Sequence, residues 1–246
     1  MNLILLERDE VHGHPAVTLS GTRARHVLTV LRVAPGDRVR VGVIDGPRGS
    51  AVVTSLDGAS VVLDCTWEPE APPPPRVDLL LALPRPKVMR RLWAQLAAIG
   101  VGRVILTNAE RVERDYFDAH TLMPGSYRPL LVEGLQQARD TRLPAVSIHR
   151  RFKVLIEDEL DSLCEPGGLR IVANPSAHMS VPAAIAAARR DHGRVLLAVG
   201  PEGGWNTYEL ALLQSRGFVP VGMGDRTLRT DTACIALLAL VHAALK

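Results

Sequence analysis

The spacing of apolar residues differs between the two ends of the chain. Near the N-terminus, residues 38–43 alternate between polar and apolar, and further short runs follow at 51–56 and 61–65. The turn signals Pro35-Gly36-Asp37, Asp45-Gly46 and Asp57-Gly58 punctuate these runs. Because such alternation between turn residues is typical of half-buried strands, the pattern predicts a small β-barrel or sandwich. Residues 22–32 have helical spacing and predict one helix within it.

From residue 77 onward, apolar runs alternate with helical stripes. The runs lack the alternation of half-exposed strands and lie at 77–83, 103–107, 169–173, 195–199 and 219–221. The stripes are Met89, Leu92, Trp93, Leu96 and Ile99; Leu131, Leu135 and Ala138; and Ile235, Leu238 and His242. Buried strands alternating with helices are typical of a parallel sheet. This part is therefore predicted to be an α/β domain.

A proline-rich segment separates the two patterns. Residues 68–75 read Glu-Pro-Glu-Ala-Pro-Pro-Pro-Pro, which enters neither a sheet nor a helix interior and forms a stiff, extended spacer. We therefore predict a β-domain at 1–70, a linker at 71–76 and an α/β domain at 77–246.

Composition narrows the class of protein. Of the 246 residues, 47% are hydrophobic and 22% charged, which is typical of folded globular chains and excludes disordered or collagenous ones. The longest apolar run, 233–245, is shorter than the roughly 20 residues of a membrane span, and the N-terminus lacks a basic leader. Cys65, Cys164 and Cys234 fit neither a zinc motif nor a disulfide framework. We expect a cytoplasmic protein without membrane or metal, its cysteines packed in the core.

Basic charge is concentrated in the middle of the chain. Residues 71–150 hold 12 basic and 7 acidic side chains, and only three of the 29 basic residues in the whole chain are lysines. Arginine donates two hydrogen bonds to one phosphate and stacks on bases, so an arginine-rich basic region favours contact with nucleic acid. Codon bias in a GC-rich genome is the alternative explanation of the arginine excess.

Three loops follow predicted strands of the α/β domain. The first is glycine-rich, at 200–204, and precedes a helix start signalled by Asn206 and Glu209. The second, 222–229, precedes a helix that Thr230 or Asp231 can cap, and the third begins at Asn174. Ligands of open α/β sheets bind at the carboxyl ends of strands, where glycines allow close approach. A shared small-molecule pocket and plain structural turns are both open interpretations.

The first two loops, as an ordered pair, resemble those of the bacterial small-subunit ribosomal RNA uracil-N3 methyltransferases of the SPOUT class. The motifs are Gly200-Pro201-Glu202-Gly203-Gly204 with Trp205 and Glu209, and Gly224-Asp225-Arg226-Thr227-Leu228-Arg229-Thr230-Asp231-Thr232-Ala233. Weaker similarity extends to residues 26–36, Gly100-Val101 and Glu110-Arg111, so the resemblance covers most of the chain.

The resemblance implies both a fold and an activity. It implies a PUA-like β-barrel that binds RNA, then a parallel-sheet SPOUT domain with a trefoil knot, paired as a homodimer through the knot region. The implied cofactor is S-adenosyl-L-methionine, and the implied substrate is uracil N3 in 16S rRNA or the small ribosomal subunit. The implied cofactor-binding residues are Asn174, Pro175, Val199, Gly200, Pro201, Gly203, Met223, Gly224, Leu228, Arg229 and Thr232.

Methyl transfer to uracil N3 requires in-line positioning of the base and removal of the N3 proton. Arg229 is the candidate for stabilising the uracil anion, and Glu202 or Asp231 for orienting the base or accepting its proton. Glu202 has an alternative structural role, which is to cap the knot loop through hydrogen bonds to the backbone.

The basic stretch from Arg76 to Lys153 is the expected RNA footprint. The candidate RNA-binding residues are Arg23, Arg25, Arg32, Arg85, Lys87, Arg90 and Arg91. Because aromatic residues make up only 4% of the chain, phosphate and shape contacts are expected to dominate over base stacking.

Some segments depart from the family pattern. Residues 95–101, 136–140 and 174–177 differ from the usual motifs, and the first two lie in the half expected to contact RNA. Two alternatives therefore stay open: a SPOUT methyltransferase with another RNA target, and a catalytically silent RNA-binding protein of ribosome assembly.

Overall fold

A computed structural model describes residues 3–11, 16–164, 167–188, 193–224 and 226–246, so Asp225 of the second motif lies outside the described residues. The chain forms two compact units. One comprises Met1–Pro74 with Val132–Leu143, and the other Pro75–Leu131 with Pro144–Lys246. The division after Pro74 falls inside the predicted linker. The return of 132–143 to the first unit was not predicted, because its cause is tertiary contact rather than local pattern.

The first unit is built on one five-stranded sheet in its described part. The strands are β1 (Ile4–Leu6), β2 (Ala16–Leu19), β3 (Arg38–Val43), β4 (Arg48–Leu56) and β5 (Val61–Trp67), in the order β1-β3-β4-β5-β2. Strand β1 runs parallel to β3, and the other pairs are antiparallel. The three predicted strands are confirmed. The two short edge strands were not predicted, because three or four residues carry little periodicity.

Between β2 and β3 lies helix α1 (Gly21–His26), which continues as a π-helical turn over Val27–Leu31. This confirms the predicted helix at 22–32. Residues 132–143 join the unit through polar contacts: Thr141 Oγ1 donates to the carbonyl of Gly46 at 2.7 Å, and Asp45 Oδ1 accepts the N–H of Leu143 at 3.0 Å.

The second unit contains a parallel sheet, as predicted, with six strands in its described residues. Its strands are β6 (Val77–Ala82), β7 (Val101–Thr107), β8 (Ala145–His149), β9 (Leu169–Ala173), β10 (Val195–Val199) and β11 (Phe218–Val221), in the order β11-β9-β10-β6-β7-β8. Every residue of the central strands β6 and β10 is buried. Edge strand β8 was not predicted, because it is only partly buried and forms no apolar run.

Helices connect these strands. They are α2 (Pro86–Ile99), α3 (Pro124–Ala138), α4 (Phe152–Val154), α5 (Leu160–Leu163), α6 (Val181–Ala187), α7 (Thr207–Ser215) and α8 (Thr230–Ala244), with a π-helical turn at Leu155–Glu159. The stripe on α2 is confirmed, although Ile99 is only half-buried. No described helix is both long and apolar enough to cross a bilayer.

Two of the predicted stripes need correction. On α3, Leu131 and Leu135 are buried, but Ala138 is exposed because the helix ends there. On α8, Leu238 is buried, whereas Ile235 and His242 are half-buried. The buried face of α8 instead comprises Thr230, Cys234, Leu237, Leu238 and Val241. Small residues occur all around this helix, so several faces fit a helical period equally well.

The cysteines are free thiols, and two of them are core residues as predicted. Cys65 and Cys234 are buried. Cys164 is only half-buried, so the prediction that all three cysteines pack in the core was wrong for this one. Burial raises the pKa of Cys65 to about 11 and that of Cys234 to about 12, so both remain protonated near neutral pH.

Candidate active site

A cavity of about 270 Å³ lies at the carboxyl ends of β9 and β10. The three loops singled out by the sequence form its walls, through residues 173–175, residues 199–205, and Thr227, Leu228 and Thr230. A second cavity of about 70 Å³ shares Asn174, Pro175 and Leu228 with the first. The structure therefore brings the strand-end loops together, which is the usual position of a ligand site in an open parallel sheet.

The predicted cofactor residues fall into three groups. Those that line the larger cavity are Asn174, Pro175, Val199, Gly200, Pro201, Gly203 and Leu228. Met223 and Gly224 line the smaller one. Arg229 and Thr232 line neither cavity, because Arg229 is the N-cap of α8 and Thr232 lies in its first turn. Their predicted roles stay predictions.

The glycine loop is shaped around Trp205. A Cβ on Gly200 would lie 3.1 Å from the Trp205 backbone nitrogen and 3.2 Å from the indole ring, so only glycine fits there without a shift. Gly204 has a φ of +72°, in the left-handed region that favours glycine. The indole packs on Phe152 with ring centroids 5.3 Å apart. Its Nε1 is buried and has no hydrogen-bond partner among the described residues.

A network of hydrogen bonds, which we call the latch, fixes the end of this loop. It joins Glu110, Arg111, Gly203, Asn206 and Glu209. The predicted cap of α7 is confirmed: Asn206 Oδ1 accepts the N–H of Glu209 at 2.7 Å, and Glu209 Oε2 accepts the N–H of Asn206 at 2.9 Å. Glu209 Oε1 also accepts the N–H of Glu110 at 2.7 Å, and Asn206 Nδ2 donates to the Glu110 carboxylate. Arg111 completes the latch by donating to the carbonyl of Gly203.

The sequence did not indicate the partners in this latch. The resemblance included Glu110 and Arg111. The sequence around them does not predict that they contact residues more than ninety positions further along the chain. The segment after β7 and the glycine loop thus form one hydrogen-bonded structure beside the cavity.

Asp231 lines neither cavity and pairs with Arg91. Its Oδ2 accepts from the guanidinium at 2.9 Å, and its Oδ1 accepts the N–H of Thr232 at 2.9 Å. Burial alone would raise the pKa of Asp231, but these hydrogen bonds outweigh it and hold the pKa below its usual range. Helix α8 has Arg229 as N-cap with no side-chain cap bond, which corrects the expected capping by Thr230 or Asp231.

Comparison with known proteins identifies the family. The family model for the RNA methyltransferase domain matches residues 71–242. The chain belongs to this family. The resemblance stated from the paired loops and the predicted enzyme class are thereby confirmed.

Relatives match along almost the whole chain. Ribosomal RNA small subunit methyltransferase E of Treponema pallidum is 29% identical, covering 99% of this chain and 91% of the relative. The protein of the same name from Mycobacterium tuberculosis is 25% identical, covering 91% of this chain and 84% of its own length. The methyltransferase E from Neisseria gonorrhoeae, solved bound to S-adenosyl methionine, covers 99% of this chain and 97% of its own, with a TM-score of 0.78 at 20% identity. This last likeness is one of fold, and it agrees with the predicted α/β class with a parallel sheet.

Among the described residues, Glu202 is the acidic side chain that lines the larger cavity. It is exposed and makes no hydrogen bond to any described residue. The alternative role of capping the loop through backbone hydrogen bonds is therefore not observed within the described ranges.

The candidate RNA-binding residues divide by their partners. Arg23 pairs with the Glu10 carboxylate, and Arg91 pairs with Asp231. The other five are exposed and form no ion pair with a described residue: Arg25, Arg32, Arg85, Lys87 and Arg90. RNA contact by all seven stays a prediction.

Proposed function

We propose that this RNA methyltransferase uses S-adenosyl-L-methionine to methylate uracil N3 of a uridine in 16S rRNA of the small ribosomal subunit. The observation that carries the proposal is the cavity shared by the two motif loops in a chain of this family. The full-length relatives named small-subunit methyltransferases support the ribosomal substrate, and the motif resemblance supports the uracil N3 atom.

The residues present fit this cofactor. The two adjoining cavities together reach the lower end of the size range of small-molecule sites, about 300 Å³. Pro175, Val199 and Leu228 give apolar walls. Trp205, which follows the glycine loop, adds a buried Nε1 donor that has no partner among the described residues. The solved relative from Neisseria gonorrhoeae was bound to the same cofactor. When bound, S-adenosyl-L-methionine supplies a methyl group already activated as a sulfonium.

The protein's own side chains then remove the uracil N3 proton and stabilise the resulting negative charge. Glu202 accepts the N3 proton, since its carboxylate lies at the cavity and has no competing hydrogen bond to a described residue. Arg229 stabilises the negative charge that develops on the uracil. Asp231 is not given the proton, because its lowered pKa makes it a weaker base and Arg91 already engages it. Asp231 and Arg91 instead position the start of α8.

The remaining parts of the proposal concern architecture and location. We infer that the first unit is a PUA-like RNA-binding domain, and that the motif loops of the second unit form a trefoil knot. We also propose a cytoplasmic homodimer that pairs through the knot region. The match to the relative from Treponema pallidum covers 99% of this chain, so it supports a two-unit composition shared with that protein. Light scattering of the purified protein measures its oligomeric mass.

One experiment tests the chemistry. Small subunits from a strain lacking the modification are incubated with the protein and S-adenosyl-L-methionine, then digested to nucleosides for mass spectrometry. The proposal predicts that N3-methyluridine appears among the nucleosides only when both the protein and S-adenosyl-L-methionine are present. A 2′-O-methylated nucleoside would indicate a SPOUT enzyme with another target atom. Failure to bind the cofactor at all would favour the silent RNA-binding alternative.

A further inference from the structure

A separate cavity of about 440 Å³ lies wholly within the first unit. Helix α1 and its π-helical turn form one side, and residues 133–137 of α3 form the other. We propose that this cavity binds one unpaired nucleobase of the substrate RNA, of the kind that carries an exocyclic amino group. This inference depends on the proposed function only in taking RNA as the substrate.

The floor of the cavity suits the face of a base ring. Ile4 and Val27 line the floor but are almost fully buried, so the accessible apolar surface comes from Val30, which is 60% exposed. An unstacked base that is splayed out of RNA needs such a surface to cover its ring. The volume lies within the usual range for small-ligand pockets, about 300–1,000 Å³.

The backbone beside this floor is irregular. The π-helical turn over Val27–Leu31 is a rare geometry that occurs often at functional sites, and Arg32 ends it in the left-handed region with a φ of 52°. On the same side, His26 Nε2 is buried and has no hydrogen-bond partner among the described residues. Buried polar atoms are usually satisfied, so this nitrogen is an unused hydrogen-bonding group beside the cavity.

The rim of the cavity suits the edge of a base rather than a phosphate. Glu133 and Gln136 line it and make no hydrogen bond to a described residue. A carboxylate repels phosphate but accepts hydrogen bonds from a base amino group. The cation of the lining, Arg23, is already neutralised by Glu10, so little positive charge is left to attract a phosphate. The lining therefore favours adenine, cytosine or guanine over uracil, which has no amino group.

The test measures base preference in the whole protein. Labelled oligoadenylate, oligocytidylate and oligouridylate of equal length are titrated at one fixed salt concentration, with fluorescence anisotropy as the readout. We expect the wild type to bind the adenylate or the cytidylate more tightly than the uridylate. Glu133→Gln is expected to reduce that preference by about tenfold, the scale of one lost base contact.

Glu70→Gln is the matched control. It removes the same charge from an exposed residue of the same unit that does not line the cavity, and it is expected to keep the wild-type preference. Gln136→Ala is a second cavity variant on an accessible side chain, expected to reduce the preference in the same direction. An equal change in affinity for all three oligonucleotides would show that these residues do not read the base and would overturn the inference, as would an unchanged preference in Glu133→Gln.

The two proposals fail separately. A wild type that methylates uridine but shows no preference for amino-bearing bases overturns only the base pocket. A wild type with that preference, but with no binding of S-adenosyl-L-methionine in calorimetry, overturns only the methyltransfer proposal.

Discussion

Glu209 Oε1 accepts the backbone N–H of Glu110 at 2.7 Å, although 99 residues separate the two in sequence. The same buried carboxylate accepts the N–H of Asn206 through its other oxygen. One side chain thus caps α7 and fastens the segment after β7 to the glycine loop of the proposed cofactor site.

Glu209→Gln tests the strength of this latch. Glutamine has one acceptor oxygen, so one of the two backbone N–H groups loses its partner and faces an amide NH₂. We expect the free energy of unfolding to fall by about 1–3 kcal/mol, measured by urea denaturation. Asp158→Asn changes an exposed carboxylate that has no hydrogen bond or ion pair with a described residue, so it is the control and should be near neutral.

Gly200→Ala tests the shape of the loop. The new Cβ must displace the Trp205 backbone or its indole, which lie at 3.1 and 3.2 Å. We expect S-adenosyl-L-methionine affinity in calorimetry to fall by about tenfold or more, since small misplacements in a site are costly. Gly125→Ala meets no atom within 4 Å, so it should bind as the wild type does. Equal affinity in both variants would contradict the assigned role of the loop.

Glu202→Gln tests the proton acceptor. Loss of a general base costs about 10²–10⁴-fold, so we expect kcat to fall by at least about a hundredfold while cofactor affinity is kept. Asp231→Asn should have a much smaller effect on kcat, because Asp231 does not line the cavity. A larger loss in Asp231→Asn than in Glu202→Gln would reverse the assignment.

The Asp231 and Arg91 pair predicts a pH-dependent stability difference. Because the folded pKa of Asp231 is lowered, its contribution is present above the unfolded pKa and is lost as the pH falls through the folded value. Arg91 is largely exposed, so Asp231→Asn should cost only about 0.2–1 kcal/mol near pH 7. Denaturation curves of both proteins should converge in acid. A difference that persists there would contradict the ion-pair explanation.

Two arginines should affect RNA binding differently. Arg90 is exposed and unpaired within the described residues, so Arg90→Ala should reduce the slope of log affinity against log salt by about 0.7 for single-stranded RNA. Arg23 is bound to Glu10 and to the carbonyl of Leu5, so Arg23→Ala should leave the slope unchanged and lower the Tm. Titrations at several salt concentrations separate these outcomes.

Local sequence was sufficient for most of the second unit. Buried parallel strands such as β6 and β10 are continuous apolar runs, and the cap of α7 is encoded within four residues. The edge strand β8 was not predicted, because one side of an edge strand faces solvent or a loop and polar residues then interrupt its apolar run. The buried face of α8 was misjudged because its composition is apolar on several sides.

The sequence by itself determined the class of each segment, the two motif loops and the family, because strand periodicity, turn residues and motif order are local properties. Only the tertiary structure decided which side chains meet. Glu209 with Glu110, Asp231 with Arg91 across 140 residues, and the return of residues 132–143 to the first unit all depend on chain folding. Contacts at such separations cannot be predicted from the periodicity of the sequence, because the residues around each partner follow the pattern of its own strand, helix or turn.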